Sequence, residues 1–150
     1  GTGLKDDALK NKYNVIKKSI EINKPDLNDP IDILGKIGGL EIAAMAGAIL
    51  QAAYQNIPTI LDGIISSAAA LVAAKLNPVA VEYMIPSHSS AEKGELIALK
   101  YMGLEPRMSL NMRLGEGTGA ALMFHTVEAA IKVADEMATF ETAGVTAGDF

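Results

Sequence analysis

Three short apolar runs, each ending in a polar or glycine-rich turn and each leading into a helix-forming stretch, constrain this chain more than any other feature. They are PTILDG (58–63), VEYMIPSH (81–88) and EPRMSLNMRL (105–114). The stretches around them carry helical signals. Asp6 or Asp7 is placed to cap a helix through about Ile22, with Leu9, Tyr13, Ile16 and Ile20 at helical spacing. KPDLNDP (24–30) reads as a loop. Asp29-Pro30 opens a short helix that stops at Gly38-Gly39. LEIAAMAGAILQAAYQ (40–55) and IISSAAALVAAKL (64–76) are Ala-rich and suited to close packing. Ser89-Ser90-Ala91-Glu92 has the capping-box spacing and predicts a helix to Met102, closed by Gly103. A last helix is predicted over 117–140, followed by a frayed tail, AGVTAGDF. Alternation of helix and strand in this order predicts an α/β fold: one domain over residues 1–150, with a parallel sheet flanked by helices in a three-layer, Rossmann-like arrangement.

Composition narrows the function classes. The net charge is −5 and no block of Lys or Arg stands out, which argues against a nucleic-acid surface. There is no Cys, so thiolate catalysis, zinc–thiolate sites and disulfides are excluded, and a cytoplasmic location is expected. Between Ile42 and Ala74 the only formal charge is Asp62, yet Gln51, Gln55, Asn56, Pro58 and Asp62 cut the stretch well short of the ~20 apolar residues a membrane helix needs. No membrane segment is expected. The opening GTGLKDDALK has no initiator Met and reads as a tag remnant, a processed end or an excised piece.

In a parallel α/β sheet, ligands sit beyond the carboxyl ends of the strands. Here those ends are Asp62-Gly63, Ser87-His88-Ser89-Ser90 and Gly115-Glu116-Gly117. The last belongs to GEGTGA, which formally fits the dinucleotide pattern G-x-G-x-x-[G/A]. That pattern requires a following strand with an acidic residue about twenty positions on, and Asp135 or Glu136 lies instead in the same predicted helix. Two readings of the turn stay open. In one it is a tight strand-to-helix connection with an exposed Glu. In the other, Glu116 is a pre-positioned base, with Gly115 and Gly117 letting a ligand approach the backbone. Ser87 to Ser90 can hold a phosphate at a helix start or simply cap that helix. Asp62 can bond a ribose hydroxyl or cap the helix beginning at Ile64. His88 reads as structural or gating, because no Asp and nucleophile complete a triad. His125 reads as a packed or surface residue, and the two histidines match no metal spacing. Lys10, Lys12, Lys17 and Lys18 are most simply a solvated face.

Several strings together resemble one family: LGEGTGAA (114–121), IPSHSSAEKG (85–94), ILDG (60–63) with its Ala-rich helix, IGGLEIAAMAGAIL (37–50) and EMATF (136–140). They are similar to the nicotinate-nucleotide:dimethylbenzimidazole phosphoribosyltransferases of cobalamin lower-ligand synthesis, from Gly1 to about Gly144. The resemblance implies transfer of phosphoribose from nicotinate mononucleotide to dimethylbenzimidazole, giving α-ribazole phosphate and nicotinate, without cofactor or metal. It implies that Glu116 takes the benzimidazole proton. Met112 and Leu114 would help wall the planar substrate, and Ser90 and its neighbours would lie near the nucleotide phosphate. Lys12, in KNKYN, would bring an ammonium to the nucleotide site, where Asp62-Gly63 is the candidate for the ribose hydroxyl on the first of its two readings. Family chains are more than twice this length. The match corresponds to their carboxyl-terminal portion, which implies a partner: an amino-terminal half or a second copy in a homodimer.

Overall fold

The computed structural model describes residues 3–112 and 114–145. Gly1, Thr2, Arg113 and residues 146–150 of the expected frayed tail lie outside the described residues. Helix α1 spans Asp6–Asn23, with Asp6 and Asp7 in its first turn, where the helix dipole favours negative charge. Its C-cap, Lys24, turns into the left-handed region and its N–H returns to the Ile20 carbonyl. Helix α2 spans Pro30–Ile37. Asp29 Oδ1 accepts the Ile31 and Asp32 amides at 2.9 and 3.2 Å, and Pro30 occupies the first turn, as the Asp-Pro dipeptide predicts.

The core is built from α3 (Leu40–Tyr54) and α4 (Ile64–Leu76). Ala46 and Ile49 of α3 are buried with Ala69, Ala70 and Ala73 of α4, and small side chains let the two axes come close. Between the helices lies β1 (Thr59–Leu61). After α4, a 3₁₀ segment, Pro78–Tyr83, is capped by Asn77 Oδ1 accepting the Val79 amide at 3.2 Å, and leads into β2 (Met84–Pro86). The strands run parallel in the register Thr59↔Met84, Ile60↔Ile85 and Leu61↔Pro86. Leu61 and Met84 are buried in the core with Ala80, and Leu99 closes it from α5 (Lys93–Tyr101). Helix α6 spans Thr118–Glu136. The α/β class with a parallel sheet flanked by helices is therefore as expected.

Three expectations need correction. The third strand contracts to one parallel bridge, His88↔Met108, in which Ser89 N–H donates to Met108 O (2.8 Å) and Met108 N–H to Ser87 O (3.0 Å). Pro106 has no amide to give, and Asn111 has a left-handed backbone, φ 52°, that extended pairing cannot include. The capping box at Ser89–Glu92 does not form. Ser89 is held by the bridge, so α5 starts at Lys93. Ser90 Oγ accepts the Glu92 amide (3.2 Å), and Ser90 N–H donates to Glu95 Oε2 (3.0 Å). The end of α5 does follow expectation: Gly103, φ 72°, closes it with Gly103 N–H to Lys100 O and Leu104 N–H to Leu99 O, the Schellman pair. Finally, α6 ends at Glu136 rather than Phe140. Met137 is extended, and the Thr139 and Thr142 hydroxyls organise a separate turn.

Candidate functional site

The glycine-rich stretch owes its shape to two consecutive left-handed residues. Glu116 has φ 63° and Gly117 φ 81°, and Thr118 N–H donates to Gly115 O at 3.3 Å. Positive φ at both central residues marks a type I′ turn. Glycine meets that demand freely at 117. At 116 a side chain is carried in spite of it, at a conformational cost of about 1–2 kcal/mol. Thr118 Oγ1 donates to Gly115 O at 2.8 Å and tightens the turn.

The N-terminus of α6 has no cap of its own, because Gly117 has no side chain. Asp62, at the end of β1, supplies one. Its Oδ2 accepts the Gly117 amide and its Oδ1 the Ala120 amide, both at 3.1 Å. Helix α4, which Asp62 precedes in sequence, is capped locally instead: Ser66 Oγ donates to Gly63 O (2.8 Å) and accepts from Gly63 N–H (3.1 Å). This arrangement disposes of the dinucleotide pattern. Amides that would receive a pyrophosphate already hold a carboxylate, and α6 is followed by no described strand. The third glycine has a different task from the other two. A Cβ on Gly119 would fall on His88 Nδ1 and within 3.0 Å of Asp62 Oδ1, whereas Gly115 and Gly117 have open space around them. Gly119 therefore lets α6 lie directly on His88.

His88 is buried. Ser87 Oγ donates to the Asp62 carbonyl at 3.1 Å, which uses its one hydrogen, so His88 Nδ1, 3.0 Å from the same oxygen, is the donor in the second bond. Glu95 of α5 is buried beside this group. Burial raises its pKa above the ordinary value of 4.5; the Ser90 amide and the His88 ring oppose the shift, and Asp62 adds to it. Ser67 Oγ is buried without a hydrogen-bond partner.

A cavity of about 440 Å³ opens where the strand ends meet the turn, a volume within the usual range of small-molecule sites. Asp62, Gly63, Leu114, Gly115, Glu116 and Gly117 line it together with Ser90. His88, Met45, Ile64, Ile65, Ser66 and Glu92 complete the lining, and its apolar side chains are Met45, Ile64, Ile65 and Leu114. Met112 faces an adjoining cavity of about 280 Å³ with Ser89, Ser109 and Asn111, and Ser90 borders both. Lys12 is on the exposed α1, which packs on α2, and lines neither cavity. His125 is exposed, 3.6 Å from Glu128. Glu95, the Gly119–His88 contact and Met45 escape sequence reasoning. For Glu95 a signal exists: it shares the buried face of α5 with Leu99, four residues on.

Among the described residues, no helix is long and apolar enough to cross a membrane, and no group of three or more acidic or His side chains is placed to hold a metal ion.

Comparison with known proteins gives the chain a family. A protein-family model described as phosphoribosyltransferase matches residues 1–145. Two curated relatives, both named nicotinate-nucleotide–dimethylbenzimidazole phosphoribosyltransferase, come from Desulforamulus reducens and Geotalea uraniireducens. The first is 53% identical over 148 residues, covering 99% of this chain and 42% of the relative. The second is 51% identical over 150 residues, covering 100% and 43%. The crystal structure of CobT from Thermus thermophilus superposes with a TM-score of 0.90 at 34% identity, over 99% of this chain and 44% of that one. This chain thus spans about two fifths of the length of the curated relatives it matches. By the reach of the family model and the closeness of these relatives, the chain belongs to the phosphoribosyltransferase family.

Proposed function

We propose that this chain carries the base-bearing part of an enzyme that moves phosphoribose from nicotinate mononucleotide to dimethylbenzimidazole. The names of the relatives support the substrates. The observation that carries the mechanism is the type I′ turn holding the Glu116 carboxylate at a cavity walled by Leu114, Met45, Ile64 and Ile65. Such walls suit a flat heterocycle, and the carboxylate suits its N–H. One benzimidazole nitrogen attacks the anomeric carbon as the bond to nicotinate breaks, and the electron pair of that bond returns to the pyridinium nitrogen. The departing ring starts as a cation and leaves without being protonated. The proton on the other benzimidazole nitrogen passes to Glu116, and α-ribazole phosphate forms. What remains for the protein is to align the two rings and accept that proton. On this reading Ser90, between the two cavities, is near the phosphate, and Met112 extends the wall. Lys12 enters the site only if α1 meets it in an assembly.

A second reading follows from chain length. The matched relatives are more than twice as long, and on this reading the same cavity binds the heterocycle without turnover until the remaining portion, or a second copy, completes it. Incubating the chain with both substrates, with and without that portion, separates the two by whether α-ribazole phosphate appears. In whichever preparation is active, Glu116→Gln is expected to lower kcat by about 10²–10⁴-fold. Unchanged turnover in Glu116→Gln refutes the assignment of the base.

A further inference from the structure

We infer that Asp62 is a positioning residue for Glu116, and that its effect on the reaction is exerted through the glycine-rich turn rather than by binding the ribose. The inference rests on Glu116 being the base. Both carboxylate oxygens of Asp62 accept amides of α6, from Gly117 and Ala120. The other hydrogen bonds of the turn, Thr118 N–H and Oγ1 to Gly115 O, are internal to it and fix its shape but not its place. Among the described residues, the two bonds to Asp62 are those that tie the segment from Gly115 to Ala120 to the sheet. Gly117 is the residue next to Glu116, so a shift at that amide is passed to the base within one peptide unit.

Two further observations make this anchor stiff. The Asp62 main chain is itself fixed, because its carbonyl accepts Ser87 Oγ from the neighbouring strand end. Gly119 lies against both Asp62 Oδ1 and the buried His88 ring, so the first turn of α6 cannot move inward. Glu116 meanwhile sits at a φ that a side chain disfavours; the turn's two internal bonds hold that shape, and the bonds to Asp62 hold the turn in place.

The test uses the full natural polypeptide that contains this sequence, assayed with nicotinate mononucleotide and dimethylbenzimidazole. Asp62→Ala is expected to lower kcat about 10- to 100-fold, with KM for nicotinate mononucleotide changed by less than about threefold. Asp62→Asn keeps one acceptor oxygen and is expected to recover part of the loss. In a Glu116→Gln background, Asp62→Ala is expected to cost less than about threefold more, because the group it positions is already gone. The ¹⁵N–¹H signals of Gly117 and Ala120 are expected to move in Asp62→Ala. If Asp62→Ala does not fold, Asp62→Asn read by kcat and by the same two signals decides the matter. A rise in KM at unchanged kcat, or a full further loss in the double variant, overturns the inference in favour of a ribose ligand. The assignment of the base fails by a different result, a fully active Glu116→Gln.

Discussion

Two glycine-led helix starts in this molecule face the same physical problem and solve it differently. The first runs from β1 through Gly63 into α4, the second through Gly117 into α6. Each puts a glycine at the N-cap, where no side chain can satisfy the orphan amides. At the first, Ser66 reaches back three residues and closes the cap locally. At the second, the cap comes from Asp62, more than fifty residues earlier, and the helix is pressed onto His88. A local cap makes a junction self-sufficient. A distant one makes the junction's position a property of the whole fold, and the junction held in this way is the one that carries Glu116.

The sharpest way to break the comparison is to add one methyl group at each site. Gly119→Ala drives a Cβ into His88 and against Asp62, and is expected to cost about 2–3 kcal/mol in urea unfolding. Gly63→Ala meets no atom within 4 Å and has an extended backbone, so its cost is expected to stay below about 1 kcal/mol. Equal losses at the two positions would show that the second junction is no tighter than the first.

Removing the caps should give a smaller contrast. Asp62→Ala is expected to cost about 1–2 kcal/mol, because it frees two amides and removes a negative charge from the start of α6. Ser66→Ala frees one amide at the Gly63 junction and is expected to cost about 0.5–1 kcal/mol. The reverse order, read from chemical unfolding, would overturn the idea that α6 depends more on its cap.

Glu116→Gly should be mildly stabilising, by about 0.5–1 kcal/mol, because glycine accepts φ 63° freely. The same change removes the proposed base. Stability gained together with turnover lost is what a functional carboxylate on a strained turn implies, and a destabilised variant would contradict it.

The smallest effect concerns pH. Burial raises the pKa of Glu95, so the folded state holds its proton more tightly than the unfolded state does. Its stabilising share is therefore full below the ordinary carboxylate value of 4.5 and is lost as pH rises through the raised folded value. His88 and Asp62, the charged or chargeable neighbours, act in opposite directions on it. Glu95→Gln should flatten melting temperature against pH across that interval, and an unchanged slope would show that Glu95 does not control it.

The sequence is most informative where one residue type serves one local purpose. Asp29-Pro30 reads directly as the start of α2, Gly103 as the end of α5, and the buried alanines as the packing of α3 on α4. It is least informative where the purpose is long-range. The spacing of Ser89 and Glu92 points to a capping box, but pairing of Ser89 with Met108 takes precedence. Alternation through 105–114 points to a strand, but the left-handed backbone at Asn111 ends it. The gathering of two strand ends and the glycine-rich turn around one cavity is legible, because ligands of parallel sheets sit beyond the carboxyl ends of the strands. That Asp62 caps the wrong helix, as sequence order would have it, is not legible, because nothing in its neighbours points to Gly117.

Whether Glu116 is the base depends on where the planar substrate lies relative to the turn. A crystal structure of the full natural polypeptide with dimethylbenzimidazole bound measures this directly. A ring nitrogen about 2.6–3.2 Å from the Glu116 carboxylate, with the ring against Leu114, is the expected result. A heterocycle seated elsewhere, or a Glu116 carboxylate turned to solvent beside a bound ring, would contradict it.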